Sequence, residues 1–434
     1  MRAHSMHDNK KNAPNLSELN RQGNAVDTAA VRARSGAVTR FDRWLARTLL
    51  RIVGDPPFSI VLWDGQEIIA PNIVPQARVK IDSRSAIYKL MIDPDLHFGD
   101  LYSAGRVDIE GDFVAFLEST YMALARRKGH KISRWLSRLL RGRRRTNTLS
   151  GSRNNIHHHY DIGNAFYELW LDCPAMQYTC AYFPDPTISL EDAQTAKMHH
   201  ICRKLRLEPG QIVVEAGCGW GGLAAFMAKH YGVTVKAYNI SHAQVAYAQE
   251  RAAREGLSKR VEYVEDDYRN IQGEYDVFVS IGMLEHAGPE NEYELGGVVD
   301  RTLKDKGFGL IHSIGRNKEM MLNTWIEKRI FPGASPPSLR QMMDIFEPWS
   351  FSVLDVENLR LHYAKTLEHW LARFEAHVDE IREQYDDPFV RAWRLYLAGS
   401  IAGFTTGSMQ LFQIVFTRQR NNDLPWSRAH LYEL

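Results

Sequence analysis

The strongest chemical signal is the run Val213-Val214-Glu215-Ala216-Gly217-Cys218-Gly219-Trp220-Gly221-Gly222. A short apolar strand leads directly into a glycine-rich turn and then into a helix. Glycines let the backbone turn sharply and approach a ligand, and a helix N-terminus offers free N–H groups. That combination predicts a nucleotide-type ligand. The spacing of Gly217, Gly219 and Gly221/Gly222 does not give the G-x-G-x-x-G of dinucleotide enzymes. Other reactive side chains stand apart in the sequence. Cys180 lacks an obvious sequence partner for covalent catalysis, and an inert buried thiol is the usual fate of a lone cysteine. Glu285 and His286 follow an apolar strand, where capping of the next helix is their ordinary role. Taken alone, Tyr363 reads as a core aromatic. The adjacent His157, His158 and His159 point in different directions and lack further ligands, so no metal is expected.

The elements around these residues alternate. Gln211 to Ala216, Val233 to Tyr238, Val261 to Glu265, Tyr275 to Ile281 and Gly307 to Ile314 read as strands. Helices fall at Trp220 to Tyr231 and at Ser241 to Glu255, the latter beginning at a Ser cap. Such alternation argues an α/β fold with a parallel sheet covered on both faces. Leu411 to Thr417 should add a late edge strand. Upstream, residues 37–125 predict a small α+β domain. Ser59 to Trp63, Asp64-Gly65 and Gln66 to Ala70 read as a hairpin, and Phe113 to Leu124 as a helix capped by Asp112. The organisation expected is a flexible tail (1–36) without an apolar signal core, the small domain (37–125), a basic linker or amphipathic helix (126–150) and a catalytic domain (151–434).

The 434 residues carry a formal net charge of +2, but the basic residues are unevenly placed. Every charged residue from Arg126 to Arg145 is basic, and Ile132, Trp135, Leu136, Leu139 and Leu140 fall on one helical face. Phe41, Trp44, Leu45, Leu49 and Ile52 repeat the pattern beside Arg40, Arg43, Arg47 and Arg51. Such helices suit the interface of an anionic membrane, or they pack on the protein with their arginines solvated. No nucleic-acid-binding signature accompanies the basic stretches, so nucleic acid is not expected. No apolar run reaches the length of a membrane span. Cys173, Cys180, Cys202 and Cys218 form no framework, which suggests free thiols in a reducing cytosol.

Five motifs occur in order: His159-Tyr160-Asp161-Ile162-Gly163-Asn164, Met176 to Phe183, Gly217 to Gly222, Gly282-Met283-Leu284-Glu285-His286-Ala287-Gly288 and His312-Ser313-Ile314-Gly315. Together they resemble the cyclopropane-fatty-acyl-phospholipid synthase and mycolic acid cyclopropane synthase family over roughly residues 150 to 420. Phe98-Gly99-Asp100-Leu101-Tyr102 favours the phospholipid branch. The resemblance implies a class I methyltransferase Rossmann-like sheet, mostly parallel with a late antiparallel strand. It also implies S-adenosyl-L-methionine as cofactor and bicarbonate as base. By resemblance, bicarbonate would be held by Cys180, Glu285, His312, the backbone of Ile314 and Tyr363. The methionine end of the cofactor would meet Tyr178, Thr179 and Glu215 beside Gly217, Cys218 and Gly219. Its ribose would meet Asn239 and Gln244, and its adenine Asp267 and Tyr268. Asn239 departs both from the acidic residue usual in class I methyltransferases and from the Thr usual in this family. Trp325 to Leu339 resembles the family's acyl-pocket and lid insertion.

These residues suit the chemistry. An alkene is a weak nucleophile and needs a methyl on a sulfonium; its attack leaves a carbocation that closes to cyclopropane when a base removes a proton. The expected substrate is an unsaturated phospholipid in an anionic membrane, met from the cytoplasmic side by a peripherally associated protein. A homodimer is compatible with the sequence. The rival outcomes are a retained methyl or methylene branch, or an inactive membrane-binding homologue.

Overall fold

The computed structural model describes residues 36–126, 162–288 and 291–432. The basic run from residue 127 onward, the three histidines 157–159 and the Tyr160-Asp161 pair lie outside them. The chain divides into two compact units. The first draws on Met1–Arg145, Asn323–Ile330 and Leu371–Ser408, and the second on Thr146–Leu322, Phe331–Trp370 and Met409–Leu434.

The first unit opens with helix α1 (Arg40–Val53). Thr39 and Asp42 cap it reciprocally, and Gly54 ends it in the left-handed region, where the absence of Cβ removes the steric cost. The hydrogen bond from Arg84 to buried Asp42 holds that carboxyl near 2, against its desolvation. The stripe read on this helix divides: Leu45 and Leu49 are buried, whereas Phe41 and Trp44 are 53% and 52% exposed and stack on each other. Strands β1 (Phe58–Val61) and β2 (Glu67–Ile68) form the hairpin turning at Asp64-Gly65. With β3 (Ala77–Ile81) and β4 (Val107–Glu110) they make a sheet of order β2-β1-β3-β4. Helices α2 (Arg84–Ile92), α3 (Pro94–Ser103) and α4 (Phe113–Arg126) accompany it, and Asp112 accepts the Ala115 N–H at the start of α4. The Phe98–Tyr102 motif lies on α3. A Cβ on Gly99 would sit 2.4 Å from the Trp325 ring, and Asp100 pairs with Arg329 at 3.0 Å.

In the second unit, α5 (Asn164–Glu168) and α6 (Leu190–Lys204) precede β5 (Ile212–Ala216), α7 (Gly222–Tyr231), β6 (Thr234–Asn239), α8 (His242–Arg254) and β7 (Val261–Glu265). There follow β8 (Tyr275–Ile281), α9 (Leu284–Ala287), α10 (Glu292–Thr302), β9 (Leu303–Gly315), α11 (Leu339–Met342), β10 (Phe351–Asn358) and α12 (Arg360–Ala376). After α13 (Val378–Gln384) and α14 (Asp387–Thr405) of the first unit, β11 (Gln410–Arg418) completes the sheet. Its order is β10-β11-β9-β8-β5-β6-β7, parallel except that β11 runs against both neighbours. Val213, Val235 and Val277 pack on one face and Val214, Phe278 and Ile311 on the other. Successive strand residues point to opposite faces, so a sheet covered on both sides reads as a continuous apolar run. Each such side chain contributes roughly 1.5–3 kcal/mol by leaving water.

One topological expectation fails. The strand at Leu411 to Thr417 is internal, between β9 and β10, and the edge belongs to β10. Phe351-Ser352-Val353-Leu354-Asp355-Val356-Glu357-Asn358 does not read as a strand because polar residues interrupt it. Its Val353 and Val356 remain 37% and 40% exposed, as an edge permits.

Candidate active site

Most sequence-predicted residues come from the carboxyl ends of the parallel strands, where open α/β sheets place their ligand crevice, while Tyr178, Thr179 and Cys180 precede α6 and Tyr363 lies on α12. After β5, Gly217, Gly219 and Gly221 all adopt positive φ. A Cβ at Gly221 would overlap the Tyr263 ring at 2.5 Å, whereas one at Gly219 would meet nothing within 4 Å. Gly221 is therefore required by packing, and Gly219 faces open space. Glu215, 2% exposed, ends this strand with Oε2 buried and without a protein partner. Burial pushes its carboxyl up to about 8, against the pull of Lys197. Cys218 is buried, its thiol raised by desolvation.

At the end of β6, Asn239 Nδ2 donates to Gln244 Oε1 at 2.8 Å and to the Gly219 carbonyl at 3.1 Å. These two residues thus form one unit against the glycine turn. Asp267 is engaged by Arg269 through two guanidinium bonds, of 2.8 and 2.9 Å. The buried Tyr268 hydroxyl has no protein partner. Tyr178 lies among Tyr167, Trp170 and Trp370, all with ring centroids within 5.4 Å of its own. Thr179 accepts from Lys197 Nζ at 2.9 Å. Asn164, from the first motif, accepts the Trp220 indole N–H at 2.8 Å and so meets the glycine turn.

The acid–base candidates cluster around the ends of β8 and β9. Glu285 on α9 accepts from Ser313 Oγ at 2.8 Å, and Ser335 N–H donates to its backbone carbonyl at 2.8 Å. Burial drives the Glu285 carboxyl up to about 7, opposed by bonds from its own backbone, Ser313 and the Ile314 N–H. His312 is buried, and its Nε2 has no protein partner. Desolvation, together with the charges of Lys197 and Lys204, brings it down to about 3, so the ring is neutral. Cys180 donates its thiol to the Ala181 carbonyl at 3.1 Å. Burial holds that thiol far above the range where a thiolate forms, which argues against a nucleophile. The 180–183 segment is pinned to α12, which carries Tyr363. Ala181 N–H donates to Thr366 at 3.0 Å, and Phe183 N–H to His362 at 3.0 Å.

The sequence assigns no role to Lys197, nor to Gln177 and Ser313, although the latter two lie within the motifs. Lys197 is wholly buried on α6, donating to Gln177 Oε1 as well as to Thr179. Its ammonium is pulled down to about 8 by burial, with Asp172, Cys180 and Glu215 acting the other way. The available signal was its place four residues from both Ala193 and Ile201 on an apolar helical stripe. Among the described residues, no group of His, Cys, Asp and Glu side chains is arranged to hold a metal ion.

Against this geometry, the family described as mycolic acid cyclopropane synthetase matches residues 147–414. The chain belongs to that family. It is an S-adenosylmethionine-dependent methyltransferase by membership, on the sheet order set out above. A probable fatty acid methyltransferase of Pseudomonas putida is 32% identical over 87% of this chain and 96% of its own length. The cyclopropane-fatty-acyl-phospholipid synthase of Escherichia coli K12 is 43% identical over 62% of this chain and 69% of its own. The solved structure of mycolic acid cyclopropane synthase CmaA1 complexed with SAH and CTAB superposes with a TM-score of 0.58. It is 28% identical and covers 61% of this chain and 98% of that one. Residues 45–127 match a separate domain of unknown function.

Proposed function

We propose that this cyclopropane synthetase family member transfers the methyl carbon of S-adenosylmethionine to a cis double bond of a phospholipid acyl chain and closes it to a cyclopropane. One observation supports a bound anion as base: the neutral His312 ring keeps a buried nitrogen without a protein partner beside the Glu285–Ser313 pair. S-adenosylmethionine would supply an electrophilic methyl, and bicarbonate a base. Glu215, Tyr178, Thr179, Asn239, Gln244, Asp267 and Tyr268 would hold the first, next to Gly217, Cys218 and Gly219. Cys180, Glu285, His312, the Ile314 backbone and Tyr363 would hold the second. Within that arrangement Glu285 would accept a proton and raise the basicity of its neighbour, and His312 would donate from Nε2. Buried aromatic rings around Tyr178 offer π faces to a cation and exclude water.

The acyl chain must be drawn from a bilayer. No described helix is long and apolar enough to cross one. We infer that the protein docks peripherally on an anionic leaflet through the basic run Arg126 to Arg145. The exposed Phe41–Trp44 pair among the arginines of α1 supports a second contact. A second reading has its own support. The relative sharing nearly its whole length is named as a probable fatty acid methyltransferase, consistent with a retained methyl branch. Incubating the enzyme with unsaturated liposomes and reading the lipids by mass spectrometry and proton NMR separates ring from branch. Omitting bicarbonate should slow turnover, and unchanged activity in rigorously degassed buffer counts against the anion.

A further inference from the structure

We propose that Gln413 is a positioning residue that fixes the His312 ring with its proton on Nε2, and that Lys204 fixes the orientation of Gln413. His312, Gln413 and Glu357 stand directly opposite one another on β9, β11 and β10, in the registers His312↔Gln413 and Gln413↔Glu357. Directly paired residues share a face of the sheet, so the three side chains form a row. Lys204, reaching in from α6, donates to Gln413 Oε1 at 2.8 Å and to Glu357 Oε2 at 2.6 Å. Gln413 Nε2 lies 3.0 Å from His312 Nδ1.

Each hydrogen bond of the row fixes the next. An ammonium only donates, so the Gln413 atom facing Lys204 must be the carbonyl oxygen. The atom facing His312 is then the amide nitrogen, which also only donates. Nδ1 must accept, and a neutral imidazole whose Nδ1 accepts carries its proton on Nε2. Nε2 is the buried nitrogen without a protein partner. Gln413 and His312 are 0% and 1% exposed, so water does not offer Nδ1 an alternative donor.

The two lysines near the row favour the same state and outweigh the opposing charge of Glu357. Lys197 and Lys204 lie on α6, and both disfavour an imidazolium. Glu357 and Asp355 on β10 hold Lys204, at 2.6 and 3.8 Å, and His200 bonds Glu357 at 2.8 Å. Although burial opposes it, the His200 bond and the Lys204 charge keep the Glu357 carboxyl near 2, so it anchors Lys204 as an anion. The row delivers one fixed N–H donor to the site, and it rests on the proposed reading only for what that donor meets.

Gln413→Glu tests this with little change of shape. A carboxylate only accepts, so it should draw the ring proton to Nδ1. Histidine-¹⁵N-labelled protein, with the His312 signal identified by its loss in His312→Gln, should show an Nε2–H ring in wild type and Nδ1–H in Q413E. Cofactor affinity by calorimetry should stay within about twofold, while kcat falls on the order of tenfold to a hundredfold, as outer-shell changes do. Lys204→Met should give a mixture of tautomers, because Gln413 is then free to flip. An Nδ1–H ring in wild type, or an unchanged tautomer in folded Q413E, overturns the proposal. Should Q413E fail to fold, the wild-type spectrum alone decides. A switched tautomer with undiminished kcat supports the positioning role and instead removes His312 from the proposed anion site.

Discussion

Ser313 Oγ donates to the buried Glu285 carboxylate at 2.8 Å, tying the helix after β8 to the end of β9. Glu285 is the only residue of the proposed base site whose carboxyl is raised to about 7. If it must be ionised to accept a proton, kcat/KM should fall as pH drops through about 7. Glu285→Gln should bind cofactor nearly normally yet lose most turnover, and with it that limb. A collapse of cofactor affinity with turnover intact would reverse the assignment.

The same shift makes a stability prediction. The folded pKa lies above the ordinary carboxyl value, so the fold prefers the protonated acid. Its favourable contribution is full below about pH 4.5 and is lost as pH rises through about 7. Glu285→Gln mimics the protonated form and should be more stable than wild type at pH 8, by about 2–3 kcal/mol. The difference should vanish near pH 4. Denaturant melts at the two pH values check this, and a destabilised variant at pH 8 contradicts it.

Lys197 holds Thr179 and Gln177 from within the core and faces Glu215. Lys197→Met leaves the buried Gln177 acceptor without that donor, costing about 1–3 kcal/mol, and frees the half-buried Thr179 hydroxyl. It also removes the positive charge that pulls the raised Glu215 carboxyl down, so that carboxyl gives up its proton less readily to meet a cofactor ammonium. Thermal melts should show a lower Tm, and calorimetry should show cofactor binding weakened by about tenfold or more. Unchanged affinity in a folded variant separates Lys197 from the cofactor site.

The two glycines of the turn should respond differently. Gly221→Ala drives a methyl into the Tyr263 ring and should destabilise the fold. Gly219→Ala adds a methyl into open space. It carries only the strain of a positive φ, of order 1–2 kcal/mol, yet should weaken cofactor binding by more than that strain explains. Paired melting and titration curves distinguish them, and equal effects of both on stability contradict the division.

Phe41 and Trp44 are half-exposed, so replacing both by Ser should leave stability nearly unchanged. Binding to anionic vesicles should weaken, as it should on replacing Arg134, Arg138 and Arg141 by Gln. Each basic residue near such a surface contributes on the order of 1 kcal/mol, and added salt should weaken wild-type binding. Co-sedimentation of both variants at wild-type level would move the docking surface elsewhere.

The parallel core was legible because strands covered on both faces, such as β5, carry adjacent apolar residues (Val213-Val214) and lead into glycine. β10 was not, because an edge strand tolerates Asp355 and Glu357, and its absence from the reading put Leu411 to Thr417 at the edge. The glycine turn and Glu285 announce themselves by residue type and local context. Lys197, Lys204 and Gln413 do not, since a buried Lys or Gln looks like a surface residue until its partners, distant in sequence, are known. Gln413 meets His312 only through strand pairing across 101 positions.

Lipid mass spectrometry after turnover with methyl-deuterated S-adenosylmethionine and vesicles of monounsaturated phospholipid tests the central claim most directly. Ring closure gives an acyl chain heavier by one methylene that retains two methyl deuterons, with both former olefinic hydrogens kept on the ring carbons. A product retaining all three deuterons would establish the methyl-branch chemistry instead, and deuterium absent from the acyl chains would contradict acyl-chain modification altogether.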